Sequence, residues 1–115
     1  IGGGWTGHEA LAIAIYSAVK HSNNFENAIV SSVNHSGDSD STGAICGNIM
    51  GALLGRNAIP DYYTKDLELL DIIEEMAEDL FTGCIISEYM ERDTPETRRW
   101  FVKYCLFKWT PKYNR

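Results

Sequence analysis

Two carboxylates and a hydroxyl lie close together in the segment Gly-Asp-Ser-Asp-Ser-Thr-Gly, residues 37–43. Asp38, Asp40 and Ser41 offer the hard oxygen ligands that Mg²⁺ and Ca²⁺ prefer in proteins. Two neighbouring carboxylates repel each other unless a cation or a row of backbone amides compensates their charge. The segment can therefore be a metal site. It can also be an ordinary helix N-terminus, where Asp and Ser are common caps, and the residues alone favour that second interpretation.

An EF-hand calcium loop is the first specific alternative for the same segment. Asp38, Asp40, Thr42 and Gly43 fit positions 1, 3, 5 and 6 of that loop. Position 12 of an EF-hand, however, requires a bidentate Glu, and this sequence has Ile49 there. An EF-hand is therefore excluded.

A second candidate site is the glycine run before the first predicted helix. Gly2, Gly3 and Gly4 can bring backbone amides close to the phosphates of a ligand at a helix N-terminus. A flexible segment without a ligand is the alternative. Trp5 can stack on a ligand or pack in the core, and His35 is a loop histidine near the acidic segment.

The hydrophobic periodicity predicts an all-α helical bundle, with no convincing alternating strand pattern. Thr6 and Glu9 have the spacing of a capping box, and Ser22-Asn23-Asn24 can cap a second helix. The predicted helices cover about residues 10–19, 25–33, 41–54 and 65–80, and a fifth begins at Thr94-Pro95-Glu96. The 65–80 helix is expected to be a surface helix with a solvated acidic side.

The third helix contains Gly43, Gly47 and Gly51 at every fourth residue, with Gly55 as a plausible C-cap. Each glycine in a helix interior costs about 1 kcal/mol relative to Ala. A closely packed second helix is the simplest compensation, and the alanine-rich first helix is the expected neighbour.

Composition excludes several classes of protein. The 115 residues carry a net charge of −6, which argues against general nucleic-acid binding. No apolar run reaches the ~20 residues of a membrane helix. Three widely spaced cysteines without a CxxC pair favour reduced thiols and a cytoplasmic location. No repeat or linker divides the chain, so residues 1–115 are expected to form one helical unit.

The charge is unevenly distributed along the chain. Residues 61–91 carry one basic residue against ten acidic ones, whereas residues 92–115 carry seven basic residues against two acidic ones. The acidic block and the basic tail can pair with each other, or the tail can contact another part of the protein. Two solvated faces of opposite sign are the simplest interpretation.

Residues 34–48 read Asn-His-Ser-Gly-Asp-Ser-Asp-Ser-Thr-Gly-Ala-Ile-Cys-Gly-Asn, and the glycine ladder continues at Gly51 and Gly55. This combination resembles the carboxy-terminal signature of the ADP-ribosylglycohydrolase family. The glycine run with Trp5, leading into residues 9–14, is similar to the segment that precedes it in bacterial members. The resemblance covers residues 1–80, and residues 81–115 form a basic tail without a diagnostic match.

The resemblance implies an all-helical orthogonal fold that holds two Mg²⁺ ions, with Mn²⁺ as an alternative. Family members hydrolyse the bond that joins ADP-ribose to a protein side chain or a related small molecule. By the motif, Asp38 and Asp40 would be metal ligands, with Asp40 bridging the ions, and Ser41 would add a hydroxyl where many members have Thr. The glycine run and Trp5 would contact the substrate.

The family's other metal ligands lie in a Thr/Ser-Asp-Asp motif nearer the amino terminus, and no such triplet occurs here. We therefore expect the carboxy-terminal portion of a hydrolase, inactive alone and completed by a missing N-terminal part. That part would cover exposed apolar surface on the first and third helices. A non-catalytic helical module that binds ADP-ribose or a protein is the alternative.

Overall fold

The computed structural model describes residues 1–83 and 94–106 of the chain. These residues form five α-helices and no strand, which confirms the all-α prediction. The helices are α1 (Gly7–Lys20), α2 (Phe25–Val33), α3 (Ser39–Leu54), α4 (Leu70–Phe81) and α5 (Pro95–Trp100). Two 3₁₀ turns, Arg56–Ala58 and Asp61–Tyr63, follow α3, and a π-helical turn, Phe101–Cys105, continues α5. Within the described ranges, no helix combines the length and apolar character needed to cross a bilayer.

The chain divides into two compact units, residues 1–66 and 67–115, where the sequence analysis took residues 1–115 as one helical unit. The first unit contains α1, α2 and α3 packed against one another. Its buried core is small and alanine-rich, so the three helices can approach closely: Ala14, Ala18, Phe25, Ala28, Cys46 and Met50. Burial raises the pKa of the Cys46 thiol, which keeps it protonated and unreactive.

The predicted N-terminal capping residues are confirmed for α2 and α5, but the predicted capping box of α1 does not form. The Asn24 side chain accepts a hydrogen bond from the Asn27 amide at 2.9 Å, and Thr94 caps α5 with Pro95 in its first turn. Thr6 does occupy the N-cap position of α1, but its hydroxyl makes no capping bond. The Glu9 carboxylate does not accept the hydrogen bond from the Thr6 amide that a capping box requires. It accepts instead from the Trp5 amide at 3.2 Å.

The glycine ladder of α3 faces α2, so the prediction that it faces α1 is wrong. A Cβ added at Gly43 would lie 2.7 Å from Val33 Cγ1, and one at Gly47 would lie 3.7 Å from Ile29 Cδ1. Nothing lies within 4 Å of a Cβ at Gly51. Gly55 ends the helix with a φ of 79°, as its predicted role as C-cap requires.

α4 begins at Leu70 rather than at Lys65, because Leu69 takes a left-handed conformation with a φ of 60°. The apolar side of this helix is largely exposed, including Ile73, Leu80 and Phe81. Its acidic side is not fully solvated, contrary to the prediction, since Asp79 is only 7% exposed.

Asp79 lies in an ionic cluster within the second unit. Lys103 Nζ lies 2.5 Å from both Glu75 Oε1 and Asp79 Oδ2, and the Tyr104 hydroxyl donates to Asp79 Oδ2 at 2.7 Å. Burial alone would raise the pKa of Asp79, but the hydrogen bonds from Lys103 and Tyr104 hold it below its usual value. The acidic block and the basic tail therefore pair, at least at these residues.

α1 leaves a broad apolar stripe uncovered, as the sequence predicted. Four large side chains on one side of this helix are between 46% and 72% exposed: Leu11, Ile15, Tyr16 and Val19. On α3 the exposed large apolar side chain is Leu53, at the C-terminal end of the helix. Such a contiguous apolar surface usually marks a site of interaction with another protein segment.

The glycine ladder predicts opposite effects for two Gly→Ala substitutions. Gly51→Ala should stabilise the protein by up to about 1 kcal/mol, because the added methyl enters open space in a helix interior. Gly43→Ala should destabilise it by about 1 kcal/mol or more, because Val33 is stiff and must shift. Thermal denaturation measures both, with about 4–8 °C expected per kcal/mol in a domain of this size. Equal rises in Tm would contradict the packing of Gly43 on α2.

Candidate functional site

The two carboxylates of the acidic segment lie side by side at the N-terminus of α3. Asp38 occupies the N-cap position, yet its side chain makes no capping hydrogen bond. Asp40 Oδ1 accepts from the Ser41 amide at 2.9 Å. Hydrogen bonding with Asp40, and next with Ser41, holds the pKa of Asp38 below its usual value. A weaker backbone hydrogen bond with Ser41 acts in the same direction. The structure thus brings Asp38, Asp40 and Ser41 together.

The donor set fits a hard divalent cation. Asp38, Asp40 and Ser41 offer carboxylate and hydroxyl oxygens, and Asp40 is exposed to solvent. Mg²⁺ takes about six oxygen ligands, so these groups can supply only part of a coordination sphere. In residues 1–83 and 94–106, no group of three or more His, Cys, Asp or Glu side chains is arranged to hold a metal. Water, substrate or residues elsewhere would have to supply the remaining ligands.

The glycine run lies directly against the acidic segment. The Asp38 amide donates to the Gly3 carbonyl oxygen at 2.8 Å. Gly37 packs so tightly on this carbonyl that a Cβ there would lie 1.6 Å from the Gly3 oxygen. Gly4 is buried with a φ of 79°, and a Cβ there would lie 3.0 Å from Thr42 Cγ2. Two segments predicted separately from the sequence therefore lie in direct contact.

Trp5 projects from this site rather than into the core. Its side chain is 74% exposed, so core packing is the wrong interpretation for this residue. The Trp5 ring also lies close to Gly3, where a Cβ would approach its Cδ1 atom to 2.9 Å. The exposed indole beside the glycine run is accessible to a ligand.

Sequence reasoning missed the residue that holds the site together, Thr42. Its side chain is fully buried, and its hydroxyl lies 2.7 Å from the Ser32 carbonyl oxygen and 3.0 Å from His35 Nε2. His35 Nδ1 accepts from the Gly37 amide at 3.1 Å. Because His35 Nδ1 accepts, Nε2 carries the proton and donates to Thr42. The single Thr42 proton goes to the nearest carbonyl, that of Ser32 at 2.7 Å, ahead of those of Asp38 at 3.1 Å and Ser39 at 3.2 Å.

This network fixes the loop between α2 and α3. Ser39 adds a hydrogen bond from its hydroxyl to the Val33 carbonyl oxygen at 2.9 Å. His35 therefore organises the backbone beside the acidic pair. The sequence did contain a signal for Thr42, because it precedes Cys46 and Met50 by four and eight residues and shares their buried side of α3.

Comparison with known proteins identifies a family for most of the chain. The family model described as ADP-ribosylglycohydrolase matches residues 1–88, which include the glycine run, the acidic segment and the whole of α3. The chain belongs to the ADP-ribosylglycohydrolase family. No solved structure matches it significantly.

Two curated members of the family match part of the chain. ADP-ribosylhydrolase ARH1 from Dictyostelium discoideum is 40% identical over 78 residues, which are 68% of this chain and 20% of that protein. ADP-ribosylarginine hydrolase Tri1 from Pseudomonas putida (strain GB-1) is 36% identical over 73 residues, which are 64% of this chain and 19% of that protein. The chain therefore matches about a fifth of the length of each relative.

The Thr42 network predicts that Thr42→Val lowers the free energy of unfolding by about 1–3 kcal/mol. Valine has nearly the same shape, but it removes the hydroxyl and leaves the His35 and Ser32 groups without this partner. Thr42→Ser is the matched control, since it keeps the hydroxyl and loses only a methyl group. Urea denaturation measures both variants. A Val variant as stable as the Ser variant would show that packing, not hydrogen bonding, governs this position.

Proposed function

We propose that this chain supplies part of the active site of a hydrolase that cleaves ADP-ribose from modified proteins or related small molecules. Asp38, Asp40 and Ser41 would hold divalent metal in a binuclear site, with Mg²⁺ as the cofactor and Mn²⁺ as a substitute. The observation that carries the proposal is the adjacent pair of carboxylates, Asp38 and Asp40, beside the Ser41 hydroxyl at the N-terminus of α3. When bound, the ions would supply Lewis acidity and orient the ribose hydroxyls.

The charge of the site supports this assignment. When both are ionised, two neighbouring carboxylates repel each other, and a bound divalent cation compensates both charges. No cation of the protein pairs with Asp38 or Asp40 in the described residues, since the ion pairs found there involve other acids. The loop that carries the pair is fixed by the Thr42 network, so the carboxylates are held together before any ligand arrives.

The adjoining glycine run gives the proposed substrate contacts. Gly2 is exposed and Gly3 is half-buried, whereas Gly4 is buried, and Trp5 offers a planar apolar surface. An ADP-ribosyl group carries both chemistries, since its adenine can stack on an indole and its diphosphate can bind backbone amides. The Trp5 amide itself is occupied by Glu9, so phosphate contacts would fall to the other amides of the run.

The uncovered stripe of α1 supports a proposal about assembly. In family members, by the resemblance drawn above, the remaining metal ligands belong to a Thr/Ser-Asp-Asp segment nearer the amino terminus. We propose that this part of the domain packs on Leu11, Ile15 and Val19 and completes the site. The free thiols of Cys46 and Cys105 fit a reducing compartment, and we propose the cytoplasm.

The metal assignment is tested with the 115-residue chain and Mn²⁺, which broadens NMR signals of nearby amides even when binding is weak. Addition of Mn²⁺ should broaden the amide signals of residues 38–41 in the native protein. Asp38→Asn and Asp40→Asn should each weaken this binding by tenfold or more, because each removes a charged ligand.

Asp66→Asn is the matched control, because Asp66 is exposed and far from the acidic segment in sequence. It removes the same charge and should leave the broadening unchanged. If both Asp38→Asn and Asp40→Asn bind Mn²⁺ as the native chain does, the metal assignment is wrong.

A further inference from the structure

Glu9, in the first turn of α1, links that helix to the glycine run. Its Oε2 accepts from the Trp5 amide at 3.2 Å. Its carboxylate also lies over Gly2, where an added Cβ would come within 2.2 Å of Oε1. Gly2 has a φ of 101°, so the backbone turns around this carboxylate in a conformation that only glycine adopts readily.

The far end of the same short segment holds the acidic pair. Gly3 lies between Gly2 and Gly4, and its carbonyl accepts the amide of Asp38 at 2.8 Å. Glu9 is therefore connected to Asp38 through the hydrogen bond to the Trp5 amide, the backbone of residues 3–5, and the hydrogen bond between Gly3 and Asp38. Glu9 itself is not a member of any metal-binding group among the described residues.

An acidic residue in the first turn of a helix has an ordinary function, because it interacts favourably with the helix dipole. Glu26 does this in α2, where it also hydrogen-bonds Tyr62. Glu9 differs because its carboxylate binds a backbone amide outside the helix and lies against the turn at Gly2. A simple dipole interaction would require neither contact.

We propose that Glu9 is a positioning residue that acts through the glycine run to fix Asp38 for metal binding. This proposal rests on the proposed function, in which Asp38 binds metal. It extends that metal site by one residue, Glu9, which touches neither metal nor substrate. The hydrogen bond of Glu9, rather than its charge, carries the effect. Outer-shell hydrogen bonds of this kind typically affect metal affinity about 10- to 100-fold.

Two variants separate the hydrogen bond from the charge. Glu9→Ala removes the acceptor, whereas Glu9→Gln keeps an acceptor oxygen and removes the charge. Glu9→Ala should speed hydrogen exchange of the Asp38 amide by about tenfold relative to the Met50 amide in the core. It should also weaken Mn²⁺ binding by about tenfold, the lower end of the outer-shell range. Glu9→Gln should restore both properties to near native values.

Glu26→Ala is the matched control, since it removes a first-turn acid from α2 and should change neither quantity. The proposal is overturned if Glu9→Ala leaves Asp38 exchange unchanged, or if it speeds Asp38 and Met50 exchange equally. It is also overturned if Glu9→Gln is as defective as Glu9→Ala. If the native chain shows no Mn²⁺ binding at residues 38–41, the proposed function fails, and Asp38 exchange alone then decides whether Glu9 positions this loop.

Discussion

The contact between the Gly3 carbonyl and the backbone of Gly37 and Asp38 is the constraint on which the rest of the site depends. It is a contact of main chain with main chain, and Gly37 leaves no room for a Cβ. The hydrogen bond from the Asp38 amide fixes the start of α3 relative to the segment before α1. Glycine at position 37 is therefore a steric requirement of this contact, whereas a Cβ at Gly3 would meet the Gly37 Cα only at 3.8 Å.

The sequence predicted much of this architecture because local rules decide it. Asn24 and Thr94 cap their helices as expected, since a capping side chain needs only its own backbone within three residues. The position of the acidic pair was also predictable from local sequence, because the spacing of Asp38 and Asp40 places both carboxylates at the N-terminus of one helix. The motif also identified the family before any fold was known.

Other features depended on tertiary contacts that no local pattern records. The spacing of the α3 glycines showed a bare helix face, but only the packed structure shows that Val33 and Ile29 of α2 meet it. Glu9 fits a capping box by spacing, yet the turn at Gly2 offers it the Trp5 amide instead. α4 begins at Leu70, five residues after the predicted start at Lys65, because Leu69 takes a left-handed conformation that leucine seldom adopts. In the second unit, the Lys103 contacts cover Asp79, a residue that a helical wheel places in water.

The acidic pair is also tied to the stability of the fold. Gly3 and Asp38 are distant in the sequence, so their backbones meet only when α1 and α3 have docked. In an unfolded chain the same two carboxylates are still neighbours, but no fixed loop holds them in one arrangement. Any ion that binds the assembled pair must favour the folded state by the free energy of its binding. The melting temperature of the protein then depends on the concentration of the binding ion, so thermal unfolding reports on occupancy of the site.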